Sequence, residues 1–298
     1  MSLIIDTIVQ WKSADKSIEK IVLKPAIYTK KPTERSTCNI LVEKLDVRRA
    51  SNKDLTEKYH TNILDGEGEK VLVIGEASAE IDRKIENAIQ MMNIHERSLV
   101  TITMPAIESE VNSGSIIVEF QITLIKCERN KPIWEFNAEE KYKIALRYKE
   151  RGIELFKDSR ITDAFYKFSR ACKILITLEP IPDLELDKQL ESNINNLRFM
   201  LYNNMAMCHL SRKNYKHTIT LCTKVLDKDK NNVKALYRRG VAYGNMNNNE
   251  KAVADMKEVL TLEPNNNAAI EQFNIYNTKL QESIQRSNDM VKKMFKTY

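Results

Sequence analysis

The stretch "VKALYRRGVAYGNMNNNEKAVADMKEVLTLEPNN", residues 233–266, decides the fold of this chain. Leu236, Gly240 and Tyr243 recur at helical spacing and share one face. Lys234 and Arg238 sit four apart and stack on another face, with no acid between them. A solvated surface accounts for such a face, and so does a grip on something negative. The preceding segment, 199–232, superposes on this one at a period of 34 residues. Tyr202 falls on Leu236, Ala206 on Gly240, His209 on Tyr243, Tyr215 on Asn249 and Leu226 on Leu260. A third copy begins at Ala145, where Gly152, Ala164, Phe168 and Ala171 match Gly240, Ala252, Met256 and Val259.

A 34-residue helical period with Gly or Ala at the helix crossing is the tetratricopeptide (TPR) signature. Three repeats are assigned, 145–198, 199–232 and 233–266. The first carries about twenty extra residues around "LEPIPDLELDKQLESNIN", expected to lengthen its second helix and its loop. Residues 267–298 read as an amphipathic helix suited to capping the exposed end of an all-α superhelix. Its basic end, "DMVKKMFKTY", would also suit calmodulin, but a cap with a frayed tail is the simpler reading.

The first 130 residues have another rhythm. "CNILVEKL" (38–45), "EKVLVIG" (69–75), "RSLVTITM" (97–104) and "SIIVEFQITLIKCE" (115–128) are β-branched and partly alternating, and "DGEG" (65–68) reads as a turn. Between the second and third of these, "AEIDRKIENAIQMM" (79–92) places Ile81, Ile85, Ala88, Ile89 and Met92 on one helix face. The expected domain, 1–130, is α+β: an antiparallel sheet carrying one helix, joined through 131–144 to the first helix of the repeats.

Bulk properties narrow the function classes. A chain of 298 residues suits about two domains. The net charge of +6 is spread among acids without a polybasic run, so no nucleic-acid partner is expected. No apolar run approaches the roughly 18 residues of a membrane span, and "MSLIIDTIVQWKS" makes a poor signal peptide. Five cysteines without a CxxC pair read as small buried hydrophobes in a reducing compartment, cytoplasmic or also nuclear; Cys208 and Cys222, on paired helices, are assigned to packing. Four histidines without HxxxH spacing, and only 7 glycines, leave little for a metal or phosphate site, so no cofactor is expected. Trp11 and Trp134 are assigned as packing anchors, at the domain start and at the hinge into the repeats.

"QWKSADKSIEKIVLKP", "IWEFNAEEKYKIALRYKERGIELFK", "NNMAMCHL", "VKALYRRGVAYGNMNNNEKAVADMKEVLTLEPNNNAA" and "VKKMF" together resemble the FK506-binding immunophilins that join an FKBP-type domain to three TPRs. In that family a prolyl peptide sits in an aromatic pocket floored by a helix-borne Trp that follows a Val-Ile pair. The resemblance lays Ile81 and Asp82 on the Val-Ile pair, Ile85 on the Trp and Val42 on the strand Tyr. The Phe-Asp pair has no counterpart in "HTNILDGEGEKVLVIG", the Tyr-bearing loop is shortened to "MPAIESEVNSGS", and Phe120 alone survives. The implied domain is catalytically dead, with Asp82 exposed beside a lost pocket because burying it there would be costly.

In the repeat frame Asn204 and Arg238 share position six, Lys234 is at position two, and Lys149 is at position five of the first repeat. The set resembles the carboxylate clamp of chaperone-binding TPR domains, which hold the C-terminal EEVD tail of heat-shock proteins 90 and 70. Ile153 stands where such clamps often place a further Asn. The resemblance implies a non-enzymatic co-chaperone with about micromolar affinity for the heat-shock protein 90 tail, or that of protein 70, and with client proteins at the FKBP-like domain. The rivals are a divergent prolyl isomerase delivered to chaperone clients, and a scaffold for an acidic partner unrelated to chaperones.

Overall fold

A computed structural model describes residues 10–26, 30–105 and 114–295. The chain divides between Phe136 and Asn137 into two compact units. The first unit contains, in order, β1 (Gln10–Lys12), β2 (Ile18–Lys24), β3 (Thr37–Arg48), α1 (Asn52–Glu57), β4 (Gly68–Val73), α2 (Glu80–Ile89), β5 (Arg97–Met104) and β6 (Ile116–Glu128). The strands form one sheet in the order β1-β2-β5-β6-β3-β4, with every neighbouring pair antiparallel. In β5 burial alternates along the whole strand, so Ser98, Val100, Ile102 and Met104 point inward. The apolar stripe of α2, Ile81, Ile85, Ala88 and Ile89, is fully buried in the same core as these strands.

Three elements lie outside the sequence expectation, which had four strands and one helix: β1, β2 and α1. The first has three residues and α1 has six, too few for a period to register. Ser51 and Asp54 close a capping box at the start of α1. The pattern of β2 is broken by Lys20, which is nevertheless buried. Its ammonium pairs with Glu96 and donates to the carbonyl oxygen of Met91 at 3.2 Å. Glu96 also accepts from the Ser98 hydroxyl at 2.8 Å and the Asn93 backbone N–H at 3.0 Å, so the buried charges are satisfied.

Trp11 packs against the core. Trp134 does not: it is 76% exposed in a 3-10 turn, Ile133–Glu135, which corrects its assignment as an anchor. Phe136 takes the packing role next door, with the Arg35 guanidinium 4.8 Å and the Lys131 ammonium 4.9 Å from its ring centre.

The second unit is helical throughout: α3 (Ala138–Lys157), α4 (Ile161–Ile176), α5 (Lys188–Ser211), α6 (Tyr215–Leu226), α7 (Val233–Asn245), α8 (Asn249–Leu262) and α9 (Asn267–Phe295). Asparagine caps mark the starts: Asn137 of α3, in a capping box with Glu140, Asn232 of α7 and Asn248 of α8. The small residues sit where paired helices touch. A Cβ on Gly152 would lie 2.5 Å from Phe168 Cε1, and one on Gly240 2.7 Å from Met256 Cε. The extra residues of the first repeat do not lengthen its second helix. They form a 3-10 turn, Ile181–Leu184, and extend the next repeat's first helix, α5, backward to Lys188, where Asp187 caps it. Ile194, Leu197 and Leu201 bury one face of that extension, which gives it a reason to stay helical.

Helix α9 caps the stack with its first half. Ala269 and Tyr276 are buried, with Phe273 and Leu280 beside them, whereas residues 281–294 are exposed. The expected frayed tail, 296–298, lies outside the described residues, as do the N-terminal residues 1–9 and most of the shortened loop, 106–113. Among the described residues no helix is long and apolar enough to cross a membrane.

Candidate functional site

Two sets of residues were singled out, one in each unit, and the structure treats them oppositely. In the first unit Val42, Ile81, Ile85 and Phe120 are all fully buried members of one core cluster. Aliphatic side chains from β3 and α2 share this core with Phe120 of β6, and none of the four is open to solvent. Asp82 is buried too, at 2% exposure, which overturns the expectation that it faces solvent. Its carboxylate accepts from the Thr61 hydroxyl and, at 2.9 Å, from the Asn62 backbone N–H. The same Thr61 oxygen accepts from the backbone N–H groups of Ile63 and Leu64, at 3.2 and 3.0 Å. Burial is tolerated because the charge gains hydrogen bonds and stands in the first turn of α2, where the helix dipole favours an anion. Asp82 thereby fastens the turn that carries Ile63 and Leu64 into the core.

In the second unit the four residues of the expected clamp lie on the first helices of the repeats: Lys149 on α3, Asn204 on α5, and Lys234 and Arg238 on α7. Lys234 is exposed, and the other three are half-buried. Lys149, Asn204 and Lys234 make no side-chain hydrogen bond or ion pair with any described residue. Arg238 is different. One of its nitrogens donates to the main-chain carbonyl oxygen of Asn203 at 2.9 Å, and the other lies 3.5 Å from Met207 Sδ. Asn203 is in turn held by Asn232, the N-cap of α7, to whose side-chain oxygen it donates at 3.1 Å. Burial lowers the pKa of Arg238 from that of an ordinary arginine, yet the group keeps its charge at neutral pH. Arg239, given no role from sequence, points elsewhere and forms a two-pronged pair with Asp255 at 2.8 and 2.9 Å.

Lys234 and Arg238 line one open cavity of about 750 Å³, together with Met207, Tyr237, Asp229 and Glu263. Lys149 and Asn204 are not among its lining residues. In the repeat frame Lys149 and Ile153 correspond to Asn203 and Met207, and α3, which carries them, also packs on α5. Sequence reasoning missed Asn203, Asp229 and Glu263. The last two are 34 residues apart, so the repeat period itself was the signal that could have found them.

Comparison with known proteins agrees with this division of the chain. Residues 11–129 match a family model described as BDBT FKBP like N-terminal, residues 137–220 one described as Bride of doubletime-like, TPR domain, and residues 233–266 a tetratricopeptide repeat. The chain is 30% identical to Peptidyl-prolyl cis-trans isomerase FKBP4 of Homo sapiens over 246 residues, covering 80% of this chain and 52% of that protein. It is 34% identical to FK506-binding protein-like of Homo sapiens over 153 residues, covering 51% of this chain and 40% of that one. It spans about half the length of the curated relatives it matches. A crystal structure of residues 1–211 of CG17282 superposes with a TM-score of 0.56 at 26% identity, covering 70% of this chain and 96% of that one. The chain carries an FKBP-like N-terminal domain followed by a TPR domain.

Proposed function

We propose that the protein is a non-enzymatic adaptor whose TPR helices hold a peptide by its free C-terminal carboxylate. The tail of heat-shock protein 90 is the leading ligand, and that of protein 70 the second. The observation that carries this is the state of the cations on α7. Lys234 and Arg238 open into one cavity, the Arg238 head is steered by the Asn203 carbonyl, and Lys234 has no partner among the described residues. Asn204 on α5 and Lys149 on α3 offer uncommitted donors one and two repeats away. A carboxylate that accepts several charge-assisted bonds gains about 1.5–3 kcal/mol from each, which offsets the cost of ordering a flexible tail.

Titration calorimetry with a MEEVD peptide, the same peptide amidated at its C-terminus, and a Lys234→Ala, Arg238→Ala double variant tests this. Micromolar binding that is lost on amidation and in the variant is expected. Equal binding of free and amidated peptides would overturn it.

The FKBP-like domain is proposed to act as a contact surface for clients and not as an isomerase. One observation favours the rival reading, the likeness to proteins named peptidyl-prolyl isomerases. Against it stand Ile85 in place of the Trp and a buried, hydrogen-bonded Asp82 in place of an apolar pocket wall. Prolyl isomerisation needs a desolvated, shaped cradle. A peptide isomerisation assay, with FK506 as inhibitor, is expected to read no rate above background; an FK506-sensitive rate would restore the enzyme.

A further inference from the structure

The cavity that holds Lys234 and Arg238 is not simply basic. Asp229 and Glu263 line it as well, so its four charged residues sum to zero. Neither acid pairs with Lys234 or Arg238 among the described residues. Each is held by a side-chain amide of its own loop: Asn232 donates to Asp229 at 2.9 Å and Asn266 donates to Glu263 at 2.8 Å. Both asparagines are also tied to helix starts, accepting from the backbone N–H of Ala235 and Ala269 at 3.1 Å each. The two carboxylates are thus placed by the backbone at equivalent points of successive repeats. Tyr237, between the two cations in sequence, adds an aromatic face to the same cavity.

From this arrangement we infer that the cavity selects a peptide C-terminus carrying a basic side chain close to its free carboxylate. The inference rests on the clamp reading above and names the class of tail it favours. The carboxylate lies on Lys234 and Arg238. The basic side chain, one to three residues earlier, lies against Asp229, Glu263 and the ring of Tyr237, which attracts cations through its face. A residue of extended chain advances about 3.3 Å, so so short a separation stays within a cavity of this size. An all-acidic tail meets the same carboxylates as repulsion, and the free energy of its clamp contacts is partly cancelled.

The test titrates MEEVD, MEKVD and MKEVD peptides, each free and amidated, into the wild-type protein and an Asp229→Asn, Glu263→Gln variant. Both substitutions keep an oxygen for Asn232 and Asn266, so the loops retain their hydrogen bonds; matched thermal melts check this. The better lysine peptide is expected to bind wild type about fivefold tighter than MEEVD, the scale of exposed charge pairs. That advantage is expected to shrink with added salt and to vanish in the variant, where MEEVD binds better than to wild type. Equal, amidation-sensitive binding of all three free peptides would leave the clamp standing and overturn the charge selection. Failure of every free peptide, or indifference to amidation, would remove the clamp and this inference together.

Discussion

Arg238 donates to the main-chain oxygen of Asn203, 35 residues earlier and 2.9 Å away, so the cation of one repeat is aimed by the backbone of the repeat before it. A lysine four residues from it, Lys234, has no such tether. One cation of the proposed clamp is therefore pre-positioned, and the other is tethered to no described residue.

Replacing Arg238 separates those roles. Arg238→Lys keeps the charge but gives up the planar fork that serves Asn203 and a ligand together. Peptide affinity is expected to fall about tenfold, one charge-assisted bond at the low end. Arg238→Ala should also lower stability by about 1 kcal/mol, because a half-buried hydrogen bond is lost. Calorimetry and urea denaturation measure the two; an alanine variant that binds like the parent would exclude Arg238 from the site.

Asp82→Ala leaves the Thr61 hydroxyl and the Asn62 N–H without this acceptor inside the first unit. A loss of about 1–3 kcal/mol is expected. Asp82→Asn, which retains an accepting oxygen, should lose less. Denaturant midpoints of the two variants check the order, and an asparagine variant as destabilised as the alanine one would mean that charge, not acceptance, holds Asp82 in place.

Gly244 lies under Tyr276, and a Cβ there would approach Cε1 of the ring to 2.1 Å. Gly244→Ala is expected to loosen α9 and cost about 1–3 kcal/mol, as overpacking does. Gly66→Ala, with nothing within 4 Å of its Cβ, serves as the quiet control. Thermal melts that fail to separate the pair would show that α9 adds little to the stability of the repeats.

Burial raises the pKa of Glu96, but the hydrogen bonds from Lys20, the Asn93 N–H and Ser98 outweigh it and leave the group below an ordinary glutamate. Its folded value is therefore lower than its unfolded one. The stability it contributes is complete above the unfolded value of about 4.3 and is lost as pH falls through the folded value. Glu96→Gln should flatten stability between about pH 5 and pH 3 relative to the parent. Lys20→Met, which strands the carboxylate, should cost about 3–5 kcal/mol at pH 7. Urea melts at pH 7 and down through the acid range decide both.

Cys38 and Cys127 face each other as register partners on β3 and β6. Burial, with Cys127 next to it, pushes the Cys38 thiol up to about 12. Since only thiolate reacts, iodoacetamide at pH 8 is expected to label half-exposed Cys127 long before Cys38. Mass spectrometry of a labelling time course reads the order directly.

What the chain alone determined is what short-range periodicity carries. The helical hairpins follow from a 34-residue repeat of apolar and small residues, and β5 from a β-branched, partly alternating run over 97–104, because both patterns are complete within a few turns or pleats. The helix that carries each proposed clamp residue was legible for the same reason, each position being fixed by its place in a repeat. Tertiary structure decided which polar residues go inside. Lys20 broke the pattern of its strand and Asp82 looked too costly to bury, yet both are buried, since Glu96 stands 76 residues from one and Thr61 21 from the other. Trp134 looked like an anchor and is exposed. The cost of burying a charge is set by partners that only folding brings within hydrogen-bond reach, and no local window of sequence contains them.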